Sequence, residues 1–180
     1  DLPKEYTDSV NVFIGTGGHG HTFPGATLPH GMVQLSPDTR LLGWDACSGY
    51  YYDDTSIMGF SHTHLSGTGI GDYGDILFMP VVGEKPLITG TADKPDEGYR
   101  SRFSHEQESA RPGYYQVLLQ DDSINVELTA TLRAGLHRYT YPKVRDARLI
   151  VDMEPTIHGH QHPVTQIRVV NDSTISGMKY

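Results

Sequence analysis

Ile124-Asn-Val-Glu-Leu-Thr-Ala-Thr-Leu132 decides the fold class. Its apolar residues fall on every second position: Ile124, Val126, Leu128, Ala130 and Leu132. Successive side chains of an extended chain point to opposite faces, so these residues share one face of a sheet while Asn125, Glu127, Thr129 and Thr131 take the other. Around this run lie Tyr114 to Gln120, Leu136 to Tyr141, Arg148 to Met153 and Thr165 to Val170, all short and rich in β-branched or aromatic residues. Asp121-Asp-Ser, Arg133-Ala-Gly, Pro142-Lys and Asn171-Asp-Ser separate them, which suits hairpins rather than helical crossovers. No amphipathic stretch reaches three helical turns, and 20 glycines and 11 prolines interrupt the chain too often for one. The class these patterns predict is all-β, an antiparallel β-sandwich.

The first half reads differently. Short apolar runs, Met32 to Leu35, Ile57 to Phe60 and Ile76 to Val82, alternate with long loops that hold most of the histidines and glycines. Two of those loops, Gly15-Thr-Gly-Gly-His-Gly-His-Thr-Phe-Pro-Gly-Ala-Thr-Leu-Pro-His30 and the segment from Phe60 to Gly69, are longer than turns require and read as site-building loops. Gly15, Gly17 and Gly20 match the dinucleotide fingerprint G-x-G-x-x-G after an apolar run, Val10 to Ile14, that suits a strand. That fingerprint needs a helix to begin at its glycines, so that a pyrophosphate meets the helix N-terminus. Pro24 and Pro29 follow instead and remove backbone donors, so no such helix is expected and dinucleotide binding is rejected.

Charge and composition exclude other classes. A formal net charge of −8, from 22 acidic and 14 basic residues, disfavours an electrostatic grip on nucleic acid or anionic lipid. No apolar run approaches the ~20 residues that span a bilayer. Cys47 is the single cysteine, which excludes an internal disulfide and a cysteine-built zinc site; it reads as a small packed hydrophobe rather than a nucleophile.

Several residue groups carry chemistry. His62 and His64 project to one face of an extended backbone, as paired metal ligands do, and Asp72 or Asp75 would complete a zinc or iron site. The same imidazoles serve equally as hydrogen-bonding supports or hydroxyl contacts. His158, His160 and His162 repeat the spacing beside Pro163 and read as solvated loop residues. Trp44, the single tryptophan, stands next to Asp45 near Tyr50, Tyr51, Tyr52 and Tyr73. An aromatic face beside a carboxylate suits a sugar, whose C–H groups lie on the ring while its hydroxyls bind the acid; a core position for Trp44 is the alternative.

Four ordered blocks carry a resemblance: Val12 to Ala26, Pro29 to Thr39, Gly43-Trp-Asp45 and Gly59 to Gly69. Together they closely resemble the amino-terminal domain of glycoside hydrolase family 92, the calcium-dependent, inverting exo-α-mannosidases. The resemblance is dense from about Val10 to Pro80 and looser to Tyr180. It implies that residues 1–180 form an amino-terminal β-sandwich domain, truncated at its carboxyl end, of a two-domain enzyme whose (α/α)6 barrel is absent here. The resemblance further implies an enzyme that removes terminal mannose from glycans, including N-glycans, with α-1,2 linkages expected. The barrel would supply the catalytic acid and base and most calcium ligands, so no catalytic residue and no metal ligand is assigned in this chain, which is expected to be inactive alone. Its implied share is a wall of the sugar pocket. Trp44 and Asp45 would contact substrate, the Gly17-Gly18-His19 loop would line it closely, and His62 and His64 would act as hydroxyl contacts or interface supports. The resemblance also points to a bacterial protein that is periplasmic, surface-bound or secreted. A free-standing carbohydrate-binding sandwich and a metal hydrolase built on His62 and His64 are the rival readings.

Overall fold

The computed structural model describes residues 5–159, 162 and 164–180. Thirteen strands, all paired antiparallel, and five short 3-10 turns make up its regular structure, and no α-helix occurs among the described residues. Strands β1 (Ala26–Thr27), β2 (Gln34–Asp38), β4 (Gly59–Ser61), β5 (Leu77–Val82) and β11 (Ala147–Asp152) form one sheet in the order β1-β2-β4-β5-β11. The second sheet is a meander, β10-β9-β8-β7, built from β7 (Glu108–Arg111), β8 (Tyr114–Leu119), β9 (Ile124–Ala130) and β10 (Gly135–Thr140). Two further two-stranded sheets pair β3 (Ser56–Ile57) with the distant β6 (Ser101–Arg102) and β12 (Thr165–Asn171) with β13 (Thr174–Lys179) in a hairpin.

The sandwich core lies between the two larger sheets. Tyr115, Val117, Leu119, Ile124, Val126 and Leu128 from the meander pack with Leu35, Phe60, Met79 and Val81 from the other sheet, all fully or almost fully buried. The strict alternation of β9 produces this layer, since its apolar positions face in while Glu127 and Thr129 face out. Glu108 also lies inside, where the phenols of Tyr50 and Tyr115 donate to its carboxylate at 3.0 and 2.6 Å and His105 approaches at 2.6 Å. A buried acid so surrounded is satisfied rather than stranded.

Several expectations shift in detail. The strand carrying Ile124 ends at Ala130, and Leu132 is exposed in the following turn instead of joining the inward face. Met32 precedes β2 and is exposed. The run from Ile57 to Phe60 divides at Met58 into β3 and β4, which belong to different sheets. Val10 to Ile14 forms turns rather than a strand, and no helix follows the glycines after it.

Candidate functional site

Loops from both halves of the sequence converge beside the five-stranded sheet. The Gly67 N–H donates to the His21 carbonyl at 2.6 Å, Tyr52 N–H to the Thr16 carbonyl at 2.9 Å, and His158 N–H to the Leu41 carbonyl at 2.7 Å. Two glycines are required for such closeness. A β-carbon at Gly20 would lie 2.2 Å from the Gly15 carbonyl oxygen, and one at Gly71 would lie 2.0 Å from the His158 ring.

At this junction His19, His21, Trp44 and Asp45 come together. The ring centroids of His19 and His21 lie 5.1 and 4.4 Å from that of Trp44, the latter edge-on at 83°. Asp45 Oδ1 is 2.5 Å from His19 Nδ1 and 3.7 Å from His21 Nε2. The hydrogen bond from His19 is the main cause that holds the Asp45 carboxyl below its ordinary range, and the charges of His19 and His21 add to it. Trp44 keeps 56% of its surface exposed, so it is no core residue. The loop runs open at Gly18, where φ is 57° and a β-carbon would meet nothing within 4 Å. An ionised carboxylate beside an open indole face can accept hydroxyl hydrogens while C–H groups rest on the ring.

His19, Trp44 and Asp45 thus form one group with His21, Gly17 and Gly18 precede His19 in the chain with Gly17 facing Tyr52, and His62 and His64 take other hydrogen-bond partners. The chain leaves the strand at Ser61, so the alternation that would align two imidazoles lapses. His64 turns into the interior, with Nδ1 at 2.7 Å from the Gln34 carbonyl and Nε2 at 2.9 Å from Asp38 Oδ1. His62 meets His137, with Nε2 to Nε2 at 3.1 Å, and packs edge-on against Phe78. Among the described residues no three histidine, cysteine, aspartate or glutamate side chains are placed to hold a metal ion. Zinc or iron at His62 and His64 is thereby corrected: their nitrogens are turned to separate partners. Calcium, which needs six to eight oxygen ligands, finds no cage among these residues either, so they do not fit it.

Cys47 is buried, its thiol turned to the Trp44 carbonyl and 4.0 Å from His158 Nε2. His158 is exposed, as its loop position suggested, adopts φ 64° and also lies 3.2 Å from the Gly43 carbonyl, so a solvated imidazole props the Trp44 loop. His160 and Pro163 lie outside the described residues, and His162 approaches Asp75 at 3.4 Å. Sequence reasoning passed over His21, although the Gly-His-Gly-His run contained it. Nothing in local spacing announces that a residue 23 positions before Trp44 will pack against it.

The glycosyl hydrolase family 92 N-terminal domain matches residues 9–180. The chain belongs to glycosyl hydrolase family 92. A family 92 α-mannosidase of Bacteroides thetaiotaomicron, solved in complex with mannoimidazole, is 48% identical and superposes with a TM-score of 0.91 over 96% of this chain and 23% of its own. The family 92 inverting mannosidase from Bacteroides thetaiotaomicron VPI-5482 is 32% identical, with a TM-score of 0.65 over 83% of this chain and 20% of its own. A protein of Arthroderma benhamiae described as an uncharacterized secreted glycosidase is 32% identical over 142 residues, 74% of this chain and 17% of its own length. The chain therefore spans less than a quarter of these family 92 relatives. The antiparallel sandwich is the N-terminal domain fold of these glycosidases.

Proposed function

We propose that this chain forms one wall of the mannose pocket of an inverting, calcium-dependent exo-α-mannosidase that removes terminal, α-1,2-linked mannose from glycans. The observation that carries the reading is the exposed Trp44 face beside the ionised Asp45, in a chain 48% identical to an α-mannosidase solved with mannoimidazole. Residues 1–180 act as the amino-terminal β-sandwich domain, and the sugar lies against Trp44 with a hydroxyl on Asp45. Gly17, Gly18 and His19 line the approach, and His62 and His64 support the loops from behind. The same loops expose Ile14, Leu42, Ile70 and Tyr73, an apolar rim suited to meet a further domain.

Inversion takes one displacement, with an acid protonating the leaving oxygen and a base activating water, the two carboxyls standing about 6.5–9.5 Å apart. Both groups, and the calcium ligands, are placed outside these residues, so the isolated chain is inactive. Secretion or a periplasmic or surface location in a bacterium fits a glycan-degrading role, and the Arthroderma benhamiae relative is described as secreted.

The test is hydrolysis of α-1,2-mannobiose, with and without a calcium chelator, by the longest natural polypeptide that contains this sequence. Mannose release should stop with chelator, and Trp44→Ala should lower kcat/KM by about tenfold or more, the rate equivalent of ~1.4 kcal/mol. Unchanged kinetics in Trp44→Ala would remove the indole from the pocket. No release from any α-mannoside, together with mannose binding by residues 1–180 alone, would favour a free-standing carbohydrate-binding module.

A further inference from the structure

In the Trp44 cluster, one polar atom is left over. His21 is only 7% exposed, and its Nε2 is sealed from solvent with no hydrogen-bond partner among the described residues. The nearest carboxylate oxygen is Asp45 Oδ1 at 3.7 Å, beyond hydrogen-bond length by less than 1 Å.

The ring is held in that place from several sides. The His21 backbone is in the left-handed region at φ 54°, which residues with a β-carbon seldom adopt, and the Gly67 N–H fixes its carbonyl at 2.6 Å. Trp44 packs edge-on against the imidazole, centroid to centroid at 4.4 Å. On another side Gly69 leaves room for both rings: its β-carbon would come within 3.3 Å of the His21 ring and within 3.3 Å of Trp44 Nε1. A backbone in the left-handed region and a buried polar atom without a partner each carry a free-energy cost, and their coincidence beside the Asp45 carboxylate points to a functional constraint.

We propose that His21 is a positioning residue for Asp45, closing its Nε2–H onto Oδ1 when a sugar hydroxyl engages the carboxylate. With Oδ1 gripped by His19 on one side and His21 on the other, Oδ2, which neither imidazole uses, is turned to the ligand. The inference rests on the reading of Asp45 as a sugar contact. Of the two imidazoles, His19 is the one within hydrogen-bond length of the carboxylate, and His19 is exposed, so the buried His21 ring supplies the rigid half of the grip.

A double-mutant cycle in the longest natural polypeptide tests this. Asn tolerates positive φ but cannot carry a donor as far as Nε2, whereas Gln can. His21→Asn should lower kcat/KM on α-1,2-mannobiose by about tenfold, the scale of one charge-assisted hydrogen bond, with most of the loss in KM. His21→Gln should recover most of it. In an Asp45→Asn background, His21→Asn should add almost nothing, because the group it positions is gone. Losses that multiply, or a Gln variant no better than Asn at equal thermal stability, would overturn the positioning role. If Asp45→Asn and Trp44→Ala both leave kinetics untouched, the sugar-wall reading itself fails. If those two lower activity and His21→Asn does not, only the role of His21 is lost.

Discussion

Asp38, Ser61 and His64 have the composition of a hydrolytic triad and none of its geometry. Ser61 donates to Asp38 Oδ2 at 2.7 Å, and both Ser61 and Asp38 approach the same nitrogen, His64 Nε2, at 3.1 and 2.9 Å. Neither Asp38 nor Ser61 has any exposed surface and His64 has almost none, so no substrate reaches the hydroxyl. Both nitrogens of His64 face acceptors, Asp38 and the Gln34 carbonyl. Burial pushes the imidazole down in pKa, but Asp38 through charge and hydrogen bond, with the Gln34 carbonyl, outweighs it and raises the value. The pair therefore anchors the inner ends of β2 and β4. His64→Ala strands the Asp38 carboxylate and should cost about 3–5 kcal/mol in urea unfolding near pH 6. A group whose folded pKa is raised binds its proton more tightly when native, so its stabilisation is full below about pH 6.5 and is lost as pH rises through the folded value. The deficit of the variant should accordingly shrink towards pH 9; a deficit that is flat with pH would deny the charged pair. The histidine spacing was legible, but its meaning was not, because the partner that claims His64 lies 26 positions away.

Strands were legible where a sheet face is apolar and obscure where it carries polar anchors. The meander follows the alternation of Ile124 to Ala130 closely. By contrast β2, Gln34–Asp38, buries Ser36 and Asp38, and β4 buries Ser61, so a hydrophobic reading places these strands early or merges them with neighbours. At the edge of this sheet the decisive residue is Gly25. A β-carbon there would lie 2.2 Å from the Leu35 carbonyl oxygen and 2.5 Å from Ser36 Cα, backbone atoms that cannot swing aside. Gly25→Ala should push β1 away from β2, where Ala26 pairs with Leu35, at a cost of about 2–3 kcal/mol. Gly18→Ala meets no neighbour and carries only the strain of φ 57°, so it should cost about 1 kcal/mol or less. Urea midpoints of the two variants give the comparison, and equal losses would refute the close-approach argument.

Across the whole molecule the two sheets are joined by an imidazole pair. His62 follows β4 of one sheet, His137 belongs to β10 of the other, and Gly135 leaves room for the His62 ring, which a β-carbon would approach to 2.6 Å. The Tyr139 hydroxyl lies 2.7 Å from His137 Nδ1 while His137 and His62 share a proton between their Nε2 atoms. Burial first, and the His62 imidazole second, push His137 down to about 3, while burial first and the His64 imidazole second lower His62. Depressed folded values reverse the sign found for His64. The unfolded chain takes up protons near pH 6.5 and the native pair does not, so its stabilisation is present above that pH and is lost as pH falls towards the folded values. His137→Phe keeps an aromatic ring against Phe78 and His62 but removes one titrating group and the shared proton. The variant should be less stable than the parent at pH 7, by about 1–2 kcal/mol for the broken hydrogen bonds. Between about pH 6.5 and pH 4 the parent should lose stability faster, because only the parent must hold His137 neutral against a growing proton activity. Urea unfolding of both proteins across that interval measures the gap directly. A gap that narrows with acid assigns the sheet-to-sheet contact a pH-dependent grip on the sandwich. A constant gap would mean that His137 titrates alike in folded and unfolded chains and that packing alone holds the sheets together there.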